Sequence, residues 1–167
     1  MNSIGSTLQK QAVIQLLHSN VCWLDEATNS LEKKAQLNFY VTNVIAAILS
    51  SLNLAHIESN LIEISSRHYG LLVLVFLGYL VVMILSISAL SPSDYLAYPL
   101  DPDEETVKQW SELDRQRFYE KLTESWILIY RNNKKINENK GILVLWSQIF
   151  LVLDIVIVLL IWIETVT

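Results

Sequence analysis

The sequence predicts an all-α membrane protein with three transmembrane helices and a cytoplasmic helical stalk of coiled-coil character. Three observations lead there. The apolar residues, 52% of 167, are bunched rather than spread. Residues 35–57 and 69–93 carry no Asp, Glu, Lys or Arg, and residues 142–163 carry one, Asp154. A helix crosses a bilayer core with about 20 apolar residues, and each run reaches that length. Ahead of the first run, apolar residues step along the chain by three and four, the spacing of a helix-packing stripe.

Residues 1–35 form the first element. Ile14, Leu17, Val21, Leu24, Leu31 and Ala35 make the stripe, which is broken only at Thr28. Ser6 can cap its start by bonding an orphan backbone N–H. With neither proline nor glycine between Ser6 and Ala35, the helix is expected to run straight into the membrane. Residues 36–57 are the first expected span. It is the softest, carrying Asn38, Thr42, Asn43, Ser50, Ser51 and Asn53. A short outer turn, 58–68, leads to the second span, 69–91, the most apolar of the three.

Residues 92–141 are the expected cytoplasmic helical region. Ser91-Pro92-Ser93-Asp94 is a turn signature. Asp101-Pro102-Asp103-Glu104-Glu105 starts a short helix, 102–113, with a capping Asp, a proline at the first position and carboxylates at the positive end of the dipole. A single straight helix over 102–140 would reach about 57 Å from the membrane. The linker 91–101 covers at most roughly 36 Å. A break at Leu113-Asp114 resolves the mismatch, with Asp114 capping a long helix over 115–141. Phe118, Leu122, Trp126, Ile129 and Ile136 form its apolar face, and Val107 and Trp110 of the short helix can cover the same core. The third span is 142–163.

Basic residues near span ends set orientation. Lys33 and Lys34 precede the first span, and Arg131, Lys134, Lys135 and Lys140 precede the third. The outer turn offers only Arg67. The expected location is a cell membrane, multi-pass, with the N-terminus cytoplasmic and retained and the C-terminus outside. Trp146, Trp162, Tyr40 and Tyr69 suit interfacial anchors.

Several functions drop out. The glycines Gly5, Gly70, Gly78 and Gly141 are too scattered for a phosphate-binding loop. Cys22 stands alone, so neither an internal disulfide nor a Cys-rich zinc site can form; a small buried hydrophobe is the expected role. A net charge of −5 argues against nucleic acid as a partner. His18, His56 and His68 are too dispersed for a metal site. No catalytic dyad is visible, so neither an enzyme nor a cofactor is expected.

Asp154 stands out. An ionisable group in mid-span costs about 2.5–3.5 kcal/mol on insertion scales and needs protein or water around it. Ser147 lies seven residues earlier on the same face, with Gln148 beside it. Counting helical rise puts Asp154 roughly 18 Å from the inner face and Ser50 and Asn53 roughly 21–26 Å, which makes them its expected partners. Asp154, Gln148, Ser147, Asn53, Ser50 and Asn43 are the candidate intramembrane polar set. Two readings stay open: a pore-lining or proton-responsive carboxylate, or a protonated Asp that glues helices together.

The layout has a likeness. Glu32-Lys33-Lys34-Ala35 runs directly into a polar-studded span, a strong second span follows, and later Tyr130-Arg131-Asn132 and Asn137-x-x-Lys140 lead into a last span. This resembles small bacterial membrane effectors of the Pycsar and SLATT-type (SMODS- and SLOG-associating) groups. The resemblance implies antiviral defence by disruption of the cell inner membrane, triggered by a cyclic-nucleotide signal or a cytoplasmic protein partner. The expected function is an oligomeric membrane effector or channel-like protein, with membrane lipid and further copies of itself as partners. The alternative is a non-catalytic scaffold that recruits a cytoplasmic partner.

Overall fold

The computed structural model describes residues 2–58, 66–93, 96 and 104–166, and the side chains of 9–50, 70–93, 96 and 108–163. The expectations placed on Ser6, Asn53, His56, His68, Tyr69, Asp101 and Val107 fall outside those described side chains. Every described element is an α-helix: α1 (Asn2–Glu58), α2 (Ser66–Leu90), α3 (Glu104–Ser111) and α4 (Arg115–Val166). The chain divides into two compact units, one of Met1–Asn29 with Pro92–Asn139, the other of Ser30–Ser91 with Lys140–Thr167.

Among the described residues, two helices rather than the expected three meet the length and apolarity of a membrane span. Among the described residues, Gly70–Leu90 of α2 and a stretch of Arg115–Ile163 in α4 are long and apolar enough to cross a membrane, with mean hydropathies of 2.8 and 2.7. Of the first expected span, 36–57, the side chains of 36–50 are described, and within them Asn38 and Thr42 are buried core positions rather than surface.

In the first unit, α1 and α4 pack through Val21, Trp126 and Ile129, flanked by Ile14, Leu17, Leu122 and Tyr130. His18 stands edge-on to Trp126 with ring centroids 5.2 Å apart. Thr28, which interrupts the apolar stripe, is buried too; its hydroxyl donates to the Leu24 carbonyl at 2.9 Å. Back-bonding of this kind lets a threonine occupy a core position without stranding its hydroxyl. Cys22 does not take the buried role expected of it. It is exposed, with Sγ 3.8 Å from His18 Nε2.

The break before α4 sits at Leu113-Asp114. The Leu113 N–H donates to the Trp110 carbonyl and so closes α3 in a tight turn. Asp114 Oδ1 accepts from the N–H groups of Gln116 at 2.9 Å and Arg117 at 3.0 Å. This satisfies two of the donors that a helix start leaves orphaned. Trp110 is buried and meets Phe118 edge-on across the break. Further along α4, the buried Asn133 side chain grips the Leu96 backbone, donating to its carbonyl at 3.0 Å and accepting from its N–H at 3.2 Å. That pair replaces the partners Leu96 would find in a sheet or in water.

The cap holds the Asp114 carboxyl below the usual carboxylate range, mainly through the Arg117 N–H. A lowered folded-state value means that the cap contributes above the ordinary carboxylate range, near pH 3.9, and fades as pH falls through the lower folded value. Hydrogen exchange checks this. Asp114→Ala is expected to expose the Gln116 and Arg117 amides to fast exchange, whereas Asp114→Asn keeps them protected. Protection in Asp114→Ala equal to wild type would refute the cap.

Candidate functional site

The second unit brings α1, α2 and α4 together around small side chains. Ala35, Ala89 and Val144 are its buried apolar cluster, one from each helix. Small residues let backbones approach closely where the surroundings are apolar and burial alone drives little association. Beside this cluster lies a set of polar side chains with almost no exposed surface: Asn38, Thr42, Ser86, Ser147 and Asp154.

Ser147 is the junction. Asn38 Nδ2 of α1 donates to Ser147 Oγ at 2.7 Å, and Ser86 Oγ of α2 lies 3.2 Å from the same atom. One hydroxyl of α4 thus connects all three helices. Thr42 returns its hydroxyl to the Asn38 carbonyl at 2.7 Å. A second link runs from α2 to α1, where Tyr79 OH donates to Asn43 Oδ1 at 3.3 Å. Asn43 Nδ2 meanwhile donates to the Phe39 carbonyl. Lys140, buried at the start of this unit's share of α4, pairs with Glu32 at 2.5 Å. The Glu32-Lys33-Lys34-Ala35 and Asn137-x-x-Lys140 motifs are therefore joined by an ion pair.

Asp154 lies one turn pair beyond Ser147 on the same face and is 4% exposed. Its carboxylate sits against the backbone of Gly78 in α2. A Cβ at Gly78 would overlap the carboxylate itself. The glycine is thus a notch that admits a charged side chain between packed helices. Of the two expected partners, Asn53 lies outside the described side chains. Ser50 is exposed and its hydroxyl donates to the Ala46 carbonyl of its own helix at 2.8 Å. Gln148 is exposed, about 100° around α4 from Ser147, and is not part of the site. Among the described residues, Asp154 makes no hydrogen bond or ion pair.

Asp154 instead lines a cavity of about 340 Å³. Thr42 and Ser50 of α1, Val75 and Tyr79 of α2 and Leu151 of α4 share its wall. Among the described residues, no group of three or more His, Cys, Asp or Glu side chains is placed to hold a metal ion. The sequence names Ser147, Asn43, Ser50 and Asp154 for this site, and does not single out Asn38, Thr42, Gly78 or Ser86. The available signal was positional: Val75, Val82, Ser86 and Ala89, all buried, fall at three- and four-residue steps that pass through Gly78 and Tyr79.

Compared with protein-family models, with curated proteins and with solved structures, the chain matches none.

Overpacking a tight core site costs about 1–3 kcal/mol. Gly78→Ala is expected to lower stability in detergent by that order, read from denaturant-induced unfolding. Adding Asp154→Ala should restore most of the loss, because the overlapping carboxylate is gone. Additive losses in the double variant would show that Gly78 does not serve as the notch.

Proposed function

We propose that this chain is a small, non-catalytic integral membrane protein that assembles with copies of itself into a channel-like membrane effector. The observation that carries the reading is Asp154, a carboxylate 4% exposed within the apolar stretch of α4 and facing a cavity. Ionisable groups at such depth are costly, and they mark ion or proton pathways more often than packing.

The first helix belongs in the membrane on this reading. Asn38 reaches Ser147, and Asn43 is reached by Tyr79. Ser147 and Tyr79 belong to the two helices that are apolar enough to span. Groups at hydrogen-bond distance share a depth, so α1 around residues 38–43 lies at the level of both. Its polar side chains are spent on protein, and exposed Leu37, Tyr40, Val44 and Ile48 are left for lipid. Basic residues Lys33, Lys34, Arg131, Lys134 and Lys135, close to the ends of the apolar runs, support a cytoplasmic side for residues 1–35 and 92–141. There the helices, of coiled-coil spacing, are the control element, open to a cytoplasmic protein or a nucleotide signal. Antiviral defence at a cell inner membrane is the role that the resemblance to Pycsar and SLATT-type effectors adds.

Dye release from liposomes tests the proposal. Wild-type protein at oligomer-forming density is expected to release a small entrapped dye, and Asp154→Asn, which keeps the shape and removes the ionisation, is expected to slow release by at least tenfold. A chain that stays monomeric and never leaks overturns the channel reading. The same silence with a stoichiometric soluble partner bound to the first unit would establish the scaffold in its place.

A further inference from the structure

We propose that the cavity beside Asp154 is a binding site for a small hydrophobic organic cation, held by the carboxylate at one end and by apolar and aromatic side chains at the other. The proposal rests on the membrane reading above for the depth of the site, and not on conduction.

A buried carboxylate needs a counter-charge or a proton. No hydrogen bond or ion pair to Asp154 is made among the described residues. The apolar runs 35–57, 69–93 and 142–163 contain no lysine or arginine, so a further copy of this chain has no cation to offer at this level. An ionised Asp154 therefore draws its counter-charge from outside these helices. Asp154 lies twelve residues into the third run, roughly 18 Å along the helix and well below the headgroups, so the amine of a phospholipid headgroup does not reach it.

The walls decide which cation fits. A hard metal ion asks for six or more oxygens. Here the wall's side chains supply oxygens only from Asp154, Thr42, Ser50 and Tyr79, fewer than that, and most of the lining is carbon. Tyr79 and Phe76 stack with centroids 6.4 Å apart at the wall, which suits the face of a cation as it suits apolar carbon. A volume of about 340 Å³ is at the small end of ligand pockets. It holds an alkyl- or arylammonium ion without its hydration shell, and such ions partition into a bilayer.

The test uses the full chain in nanodiscs of zwitterionic lipid at neutral pH, with benzyltrimethylammonium as the probe. This ion is permanently charged, and neopentylbenzene is its neutral isostere. Equilibrium dialysis is expected to show saturable binding that excess neopentylbenzene does not displace. Asp154→Asn should weaken binding at least tenfold. Ala46→Leu, which fills the cavity from α1 and keeps the carboxylate, should do the same. If Asp154→Asn fails to fold, Ala46→Leu decides the matter. Absence of saturable binding, equal affinity in either variant, or displacement by the neutral isostere overturns the proposal; the first of these would mean that a proton alone neutralises Asp154. The two readings fail separately. Asp154-dependent leakage without cation binding sinks only the cation site, and cation binding without leakage sinks only the channel.

Discussion

Ser147 has no exposed surface, and its hydroxyl holds Asn38 of α1 and Ser86 of α2 at once. The packing of the second unit depends on that arrangement. In apolar surroundings a hydroxyl without a partner costs about 2–7 kcal/mol, depending on the reference state. Each interhelical hydrogen bond between membrane helices contributes only about 0.6–2 kcal/mol net. The penalty for misalignment therefore exceeds the gain from alignment, and it selects the rotation and depth at which Asn38, Ser86 and Ser147 are all paired. Ala35, Ala89 and Val144 allow the approach that these short side chains need. Longer residues there would hold Asn38 and Ser86 out of reach of Ser147.

The same close approach creates the setting of Asp154. Gly78 removes the one side chain that would occupy the space of the carboxylate, so a group that would otherwise face lipid is taken between helices. Ser147 gains two partners in this way. Asp154 gains room without a described hydrogen bond, beside a cavity of about 340 Å³. Two polar groups seven residues apart on one helix thus play opposite parts. The serine closes the packing, and the carboxylate lines the cavity.

The first unit is held by other means. Trp126, Val21 and Ile129 form a core of large side chains, and Trp110 and Phe118 meet edge-on across the α3–α4 break. Its ion pairs are exposed: Lys10 and Glu120 stand 3.7 Å apart with much of both side chains in solvent, and Lys134–Glu138 is similar. Such pairs are worth little, typically below about 1 kcal/mol. Burial of aromatic surface, the Asp114 cap and the Asn133 grip on Leu96 carry this unit. Glu32–Lys140 differs from these exposed pairs, since Lys140 is almost fully buried.

Local pattern determined a good part of this protein. Steps of three and four along residues 14–35 define the buried face of α1, and Asp114 marks the start of α4, because helix periodicity and capping are properties of a few neighbouring residues. The seven-residue interval from Ser147 to Asp154 likewise puts both on one face of α4. Tertiary structure alone decided what those faces meet. Thr28, Asn38 and Thr42 continue the α1 stripe as buried residues although they interrupt it as apolar ones, and only the contacts reveal that they are core. Depth counting puts Ser50 at the level of Asp154, and both line one cavity, yet Ser50 turns its hydroxyl to its own backbone and Gly78 faces the carboxylate. The physical reason is that spacing specifies an angle around a helix axis. The rotation and sliding of one helix against another are set by where small residues permit contact and where polar groups find partners, and those conditions exist only once all three helices are together.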